Sequence, residues 1–330
     1  MDVAVVVNLR ARRGSAAVGR MVQAALPEAR VSVTRSLAEV QRWIDRDLAP
    51  NPPDLILSGG GDGTAVTLVN ELRDRKVWVP RLGVLRLGTG NGWANVTNAP
   101  RARAAIAHIA ALQGRTPPTR RFELVECDGR IAPFLGTGWD AEIVTDFKTQ
   151  LAKMPGGLRR ISDGLPGYLM GMFTRTIPRH MFGNGAANVV LTNLGAPAMT
   201  VDARGNVVPL PGGETGAVLY RGPASVAAAG TTEEWGFGFR AFPFAHAAPG
   251  RVSVRIYGAP VLEATRNMFR LWRGDTVPKM HDFFLTHGKM EFDREVPFQV
   301  GGDAMAPRTS FEFRIARDAV DLVDWGQLAA

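Results

Sequence analysis

Cysteine is nearly missing: Cys127 is the single one in 330 residues, which excludes an internal disulfide and any zinc ribbon or finger. Aromatic residues make up only 8%. No basic helix is interleaved with them and no RNP-like, zinc-finger or helix-turn-helix pattern occurs, so no nucleic-acid partner is expected. No apolar run approaches the roughly 18 to 20 residues that a membrane-spanning helix needs. The opening Met1-Asp2-Val3-Ala4-Val5-Val6-Val7-Asn8 has neither a basic leader nor a small-residue cleavage site, and a cytoplasmic protein is the expectation. The 37 Gly and 22 Pro have no fixed period, which excludes collagen and low-complexity linkers. What is present is 45% hydrophobic and 21% charged, a balance that buries a core. At about 150 residues per domain the length suggests two domains. The net charge of +8 favours polyanions such as nucleotides or anionic head groups. Ordinary solvated arginines satisfy the same number, so charge alone decides nothing.

The first third alternates strand and helix periodicities. Val3–Asn8, Val31–Thr34, Asp54–Ser58 and Leu82–Leu87 read as strands, and the intervening segments carry apolar residues at helical spacing. Examples are Val18, Met21, Val22 and Leu26 after Ser15, then Leu37, Val40, Ile44 and Leu48, then Ala65, Leu68, Val69 and Leu72. A helix near Arg101–Leu112 closes the series. Such alternation predicts right-handed crossovers and a parallel sheet covered on both faces. After Pro117-Pro118 the pattern changes to short runs bounded by Gly, Pro, Asn or Asp. These runs are Phe122–Cys127, Ile131–Leu135, Asn188–Thr192, Gly216–Tyr220, Trp235–Phe239, Val252–Ile256, Met290–Phe292 and Phe298–Val300, and they predict an antiparallel sandwich. The expected division is an α/β domain over 1–118 and a β-sandwich over 119–310. The segment 311–330 is a candidate to return to the first domain.

The strongest motif is Gly59-Gly60-Gly61-Asp62-Gly63-Thr64, between a buried strand and a helix. Glycines let the backbone turn sharply and bring amides to phosphate oxygens, and the helix N-terminus adds partial positive charge. A carboxylate in an anion-binding loop suits handling of a proton, a metal or a hydroxyl; the plain alternative is Asp62 as a helix cap. A second loop, Leu87-Gly88-Thr89-Gly90-Asn91-Gly92, follows the next strand, and Asn8 ends the first. Three such strand ends at one sheet edge predict a nucleotide site outside the carboxyl ends of the strands.

With these motifs in place the chain resembles the diacylglycerol kinase catalytic-domain family, which also holds sphingosine and ceramide kinases and is distantly similar to NAD kinases. The residues carrying the likeness are Asn8–Ser15, the GGGDGT loop, Leu85–Ala94, Gly136–Ile143 and Val296–Asp303. The resemblance implies a Rossmann-like α/β domain followed by a β-sandwich, and ATP-dependent phosphorylation of a lipid hydroxyl in a cleft between them. It implies nucleotide contacts from Asn8, Thr34, Gly60, Gly61, Asp62, Gly63, Thr64, Gly88, Thr89 and Asn91. Asp303 stands at the last place of the family's Asp-Gly-Glu triplet and Asp62 in the glycine loop; each is a candidate base. Glu142 and Asp140, in the Gly-aromatic-x-Ala-acid region, are expected near the lipid head group. Departures are specific. Asp-Gly-Glu appears as Gly301-Gly302-Asp303, the metal-holding Asp-Gly-x-Leu-Asp appears as Pro249–Ser253, and Arg86 replaces a proline. The implied cofactors are therefore ATP and a Mg²⁺ carried by the nucleotide, with any protein-held metal unknown.

Phe147–Phe182 mixes Lys148, Lys153, Arg159, Arg160, Arg175 and Arg179 with many Leu, Met and Phe residues. It reads equally as a contact with an anionic membrane and as a Met-rich helical lid. Arg159 and Arg160 are further candidates for phosphate oxygens. A peripheral enzyme on the inner face of the membrane is the expectation, with a homodimer through exposed sheet edges. Two other functions stay open: a soluble NAD-kinase-like small-molecule kinase, and a catalytically silent nucleotide- or lipid-binding protein. His281 and His287, flanking Asp282, fit no helical metal pair, and Cys127 reads as a small buried residue.

Overall fold

The computed structural model describes residues 1–77, 81–153, 164–182 and 186–329, which form two compact units, Met1–Phe122 with Ala319–Ala330, and Glu123–Asp318. The first unit carries strands β1 (Val3–Asn8), β2 (Arg30–Thr34), β3 (Leu55–Gly60), β4 (Leu82–Arg86) and β5 (Thr119–Phe122). Its helices are α1 (Ala16–Ala25), α2 (Leu37–Trp43), α3 (Asp62–Asp74), α4 (Gly92–Val96) and α5 (Ala102–Ala111). The sheet runs β2-β1-β3-β4, all parallel, then a C-terminal strand Val320–Val323, then β5. β1 and β3 are almost wholly buried, which is why they read as unbroken apolar runs. Ala65, Leu68, Val69 and Leu72 are the buried face of α3, as their spacing predicts.

Ser36 starts α2 by accepting the Glu39 N–H at 3.3 Å, and the Glu39 carboxylate accepts the Arg35 N–H at 2.6 Å. The expected single helix to Leu48 instead widens into a π-helical turn, Ile44–Leu48, which buries both of those residues completely.

The second unit is antiparallel. Its strands are β6 (Val125–Cys127), β7 (Arg130–Ala132), β8 (Phe134–Gly138), β9 (Ala187–Asn193), β10 (Met199–Val201), β11 (Val207–Pro209), β12 (Val218–Ala224), β13 (Val226–Gly230), β14 (Val252–Tyr257), β15 (Met280–Leu285), β16 (His287–Val300) and β17 (Asp303–Ile315). The strand Val320–Val323 of the first unit is β18. The hydrogen-bonded order is β11-β10-β15-β14-β13-β8-β16-β17-β6-β7, with β9 joining β16 to β12. Between β8 and β9 lie α6 (Trp139–Lys153), α7 (Leu165–Gly171), a π-helical turn Met172–Thr176 and α8 (Ile177–Phe182). α9 (Val261–Arg266) and α10 (Met268–Arg273) follow β14, and α11 (Trp325–Ala329) ends the chain.

Four strand expectations need correction. Ile131–Leu135 is split between β7, which ends at Ala132, and β8, which begins at Phe134. Phe122–Cys127 is two strands in two sheets: Phe122 pairs with Val320, and Val125 pairs with Ala132. The first unit thus extends to residue 122, and Phe311–Ile315 stays in β17 while only 319–330 belongs to the first unit. Trp235–Phe239 is a tight turn, because Gly236, Phe237 and Gly238 all take positive φ (133°, 55° and 78°). Its aromatics serve packing, with Trp235 stacked on Phe239 at 5.3 Å. Met290–Phe292 and Phe298–Val300 are parts of one long strand, β16, whose pairing register shifts between Glu291 and Val296.

Candidate functional site

In the first unit, parallel pairing brings the ends of four strands to one edge. Asn8 lies opposite Thr34, and Gly60 opposite Arg86. Thr34 is buried, and its carbonyl accepts the Leu9 N–H at 2.9 Å. The Asn8 Oδ1 accepts the Arg10 N–H at 2.9 Å, turning the chain, while Nδ2 donates to Thr64 Oγ1 at 3.0 Å. Leu87 N–H donates to the Gly60 carbonyl at 3.1 Å, and the Leu87 carbonyl accepts the Arg13 N–H at 3.0 Å. The loops after β1, β3 and β4 are therefore one bonded unit.

Two glycines permit this approach. A Cβ on Gly88 would sit 2.2 Å from the Gly61 Cα, and one on Gly60 would sit 2.3 Å from Thr64 Oγ1. Asn91 takes the left-handed region (φ 56°, ψ 41°). It closes the second loop on itself, accepting the Gly88 N–H at 3.2 Å and donating to the Gly88 carbonyl at 3.0 Å. Gly61 caps α3, whose first residue is Asp62. The Thr64 and Ala65 amides of this 13-residue helix donate to the Gly61 carbonyl at 3.0 and 3.2 Å, and the start of the helix forms, with the glycine backbone, a surface suited to phosphate.

The Asp62 carboxylate reaches beyond its own helix. It accepts the Gly92 N–H at 2.8 Å and the Trp93 N–H at 2.9 Å, tying the first glycine loop to the start of α4. Burial pushes its pKa up, and the Trp93 and Gly92 amides oppose that shift. Arg86 has a structural task that its position in the motif did not announce. Its guanidinium donates to Asn95 Oδ1 at 2.8 Å and to the Ala99 carbonyl at 3.3 Å, clamping α4.

In the second unit, Gly301 and Gly302 are the two central residues of the β16–β17 hairpin. Both have positive φ (58° and 87°), and Val300 pairs with Asp303 across the turn. Asp303 is the exposed first residue of β17. The turn is held from within: Gln299 Oε1 accepts the Gly302 N–H at 2.7 Å, and Gln299 Nε2 donates to Asp140 Oδ2 at 2.8 Å. Asp140 is buried, with Oδ1 lacking a hydrogen-bond partner among the described residues, and burial raises its pKa to about 7 against the opposing Gln299 hydrogen bond. Gly136 makes room for it, since a Cβ there would lie 2.2 Å from Asp140 Oδ2. Sequence motifs flagged Asp140 but gave no hint of Gln299, whose partner is 159 positions away.

Glu142, in the first turn of α6, accepts from Arg179 Nη1 at 3.1 Å and lies 2.9 Å from His180 Nε2. Arg179 Nη2 also donates to Asp146 Oδ1 at 3.1 Å, and Thr176 Oγ1 to Asp146 Oδ2 at 3.0 Å. These contacts fix α8 against α6. A cavity of about 360 Å³ opens beside them, lined by Glu142, Arg179, His180, Ser225, Phe292 and Val296 among others. Arg159 and Arg160 lie outside the described residues.

Among the described residues no three His, Cys, Asp or Glu converge as a metal-ligand set. At Pro249–Ser253 the chemistry is unsuited to a cation, because Arg251 projects a guanidinium onto the Pro197 carbonyl at 2.8 Å and Ser253 is buried in β14. No described helix is long and apolar enough to cross a membrane.

A family model described as the diacylglycerol kinase catalytic domain matches residues 2–123. No curated protein matches the sequence. Among solved structures, the chain is similar to a diacylglycerol kinase from Bacillus anthracis str. Sterne, at 14% identity over 98% of this chain and 96% of that one, with a TM-score of 0.62. It is also similar to an NAD kinase from Archaeoglobus fulgidus, solved in complex with ATP. That match has 12% identity over 100% and 99% of the two chains, with a TM-score of 0.52. Residues 2–123, with the interlocked glycine loops, thus match the diacylglycerol kinase catalytic domain model, and the whole chain has the fold of the diacylglycerol kinase and NAD kinase structures.

Proposed function

We propose that this protein is an ATP-dependent lipid kinase that phosphorylates the primary hydroxyl of a diacylglycerol-like or sphingoid lipid. The observation carrying this reading is the bonded edge of the first unit, where Asn8, Gly60–Thr64 and Gly88–Asn91 hold one another at a helix N-terminus. Phosphoryl transfer asks mainly for positioning and charge neutralisation. Backbone amides of the two glycine loops would neutralise the phosphates, and Asn8 with Thr64 would fix the register of the nucleotide. Magnesium, where it takes part, would come with the nucleotide.

Of the two candidate bases, Asp303 is the better supported. Both oxygens of Asp62 are engaged by the amides that start α4, so its work is to hold the loops. Asp303, on a hairpin fixed through Gln299 and Asp140, would accept the hydroxyl proton, a contribution of about 10² to 10⁴-fold. The Glu142 cluster, beside a cavity with polar and apolar walls, would receive the lipid head group.

The test is transfer of label from γ-labelled ATP to a panel of extracted and defined lipids. A labelled lipid is the expected result. Labelled NAD in place of lipid would move the assignment to a soluble small-molecule kinase, and ATP binding without any transfer would make the protein a silent binder.

A further inference from the structure

We infer that the α9–α10 segment of the second unit is a docking surface for an anionic lipid bilayer. The inference rests on the lipid-kinase reading for its purpose, since an enzyme whose acceptor resides in a bilayer must reach it, but the surface itself is read from exposure and charge. Phe269 is 86% exposed and Leu262 is 59% exposed, the two highest values among the exposed large hydrophobic residues described. They are seven positions apart, one on each helix, and Arg266, Arg270 and Arg273 of the same two helices are also exposed. Between Val261 and Lys279 the chain carries four cations, Arg266, Arg270, Arg273 and Lys279, against two acids, Glu263 and Asp275. The acids are engaged locally, Glu263 by Lys279 at 2.5 Å and Asp275 by Arg273 at 2.7 Å and by Arg270 at 3.9 Å, and four cations against two acids leave the segment with an excess of positive charge.

Other residues of the same helices pack against the unit, those of α9 buried and those of α10 half-buried. Val261 and Ala264 are buried, and Leu271 packs on the cluster of Tyr257, Ala259, Ala264 and Val277. Trp272 meets Phe239 edge to face at 5.4 Å, and Phe239 stacks on Trp235. Gly274 ends α10 in the left-handed region (φ 82°), where a Cβ would lie 2.9 Å from the Arg240 carbonyl. The platform is thus rooted in an aromatic core, and Phe269 makes no contribution to that root. A large aromatic held in water, on a segment that exposes three arginines, has the composition of an interfacial anchor: the ring enters the head-group boundary while guanidinium groups meet lipid phosphates. Charge complementarity selects an anionic bilayer over a neutral one.

The experiment uses the full chain and two vesicle populations, one an equal mixture of phosphatidylglycerol and phosphatidylcholine, the other pure phosphatidylcholine. Co-sedimentation should show binding to the anionic vesicles and much weaker binding to the neutral ones. Phe269→Ala should lower anionic-vesicle affinity roughly tenfold. The triple change Arg266→Gln, Arg270→Gln, Arg273→Gln should lower it roughly a hundredfold and abolish the preference for anionic lipid. Because these side chains are exposed, the variants should melt with the native chain, and their turnover on lipid dispersed in detergent micelles should be unchanged. Failure of the kinase reading would show as no labelled lipid in micelles from the native chain, independently of vesicle binding. Vesicle binding that is absent in the native chain, or unaltered by these changes, overturns the assignment. So does a native dimer that Phe269→Ala converts to a monomer without any vesicle binding, since the patch would then be an interface between copies.

Discussion

Asp62, Asp140 and Asp303 show how one residue type takes three states from its surroundings. Asp62 is half-buried with both oxygens on backbone amides. Asp62→Ala would leave the Gly92 and Trp93 amides unpaired, and thermal unfolding should register a loss of about 1–3 kcal/mol together with weaker ATP binding. Asp303→Asn should reduce turnover by about 10² to 10⁴-fold with ATP affinity near native, as read by steady-state kinetics beside nucleotide titration. For Asp140 the pH dependence has a defined sign. Its folded pKa of about 7 lies above the ordinary carboxyl value, so between roughly pH 4 and pH 7 the folded state holds a proton that the unfolded chain has released. Stability should therefore be greatest at the acid end of that window and fall as pH rises, by at most roughly 4 kcal/mol. Asp140→Asn, which preserves an acceptor for Gln299, should flatten this slope in urea melts taken across the window. Cys127, buried in β6 with its pKa pushed up to about 12 by burial, should resist alkylation in the native protein.

Among elements, those whose periodicity is local were legible and those fixed by remote partners were not. The four parallel strands and α3 follow from buried apolar runs and from Ala65, Leu68, Val69 and Leu72 on one face. The glycine loops were visible too, because Gly60, Gly61 and Gly88 sit where backbone meets backbone. In contrast, Trp235–Phe239 looks like a strand in composition, yet Phe237 adopts positive φ so that Trp235 can stack on Phe239. Tertiary packing overrode β propensity there. β15 went unread because it mixes charge with apolar residues. Its Asp282 is buried against Arg255 on β14, with Nε–Oδ1 at 2.7 Å and Nη2–Oδ2 at 3.1 Å. Removing one partner strands the other charge in the interior, so Asp282→Ala should destabilise by about 3–5 kcal/mol, measurable by denaturant unfolding. His281, next to it, is exposed, tilted against Tyr220 at 4.9 Å and stacked on Phe283 at 6.4 Å, and partial desolvation by these rings lowers its pKa.

On the scale of the whole molecule, sequence order announced an α/β part followed by an antiparallel part, and the fold has both. The point of division was harder to read. β5 has only four residues, and its membership is decided by pairing with Val320–Val323, about 200 positions later. No local signal distinguishes Phe122, which pairs in the first sheet, from Val125, which pairs in the second. The nucleotide assignment depends on the first unit alone, and it can be examined there without knowing the lipid. Hydrogen exchange of the native chain with and without Mg·ATP is the most direct measurement. Slowed exchange concentrated in Gly60–Thr64, Gly88–Asn91 and the turn after Asn8 is the predicted result. Protection confined to other segments, or an exchange pattern indifferent to the nucleotide, would contradict the account.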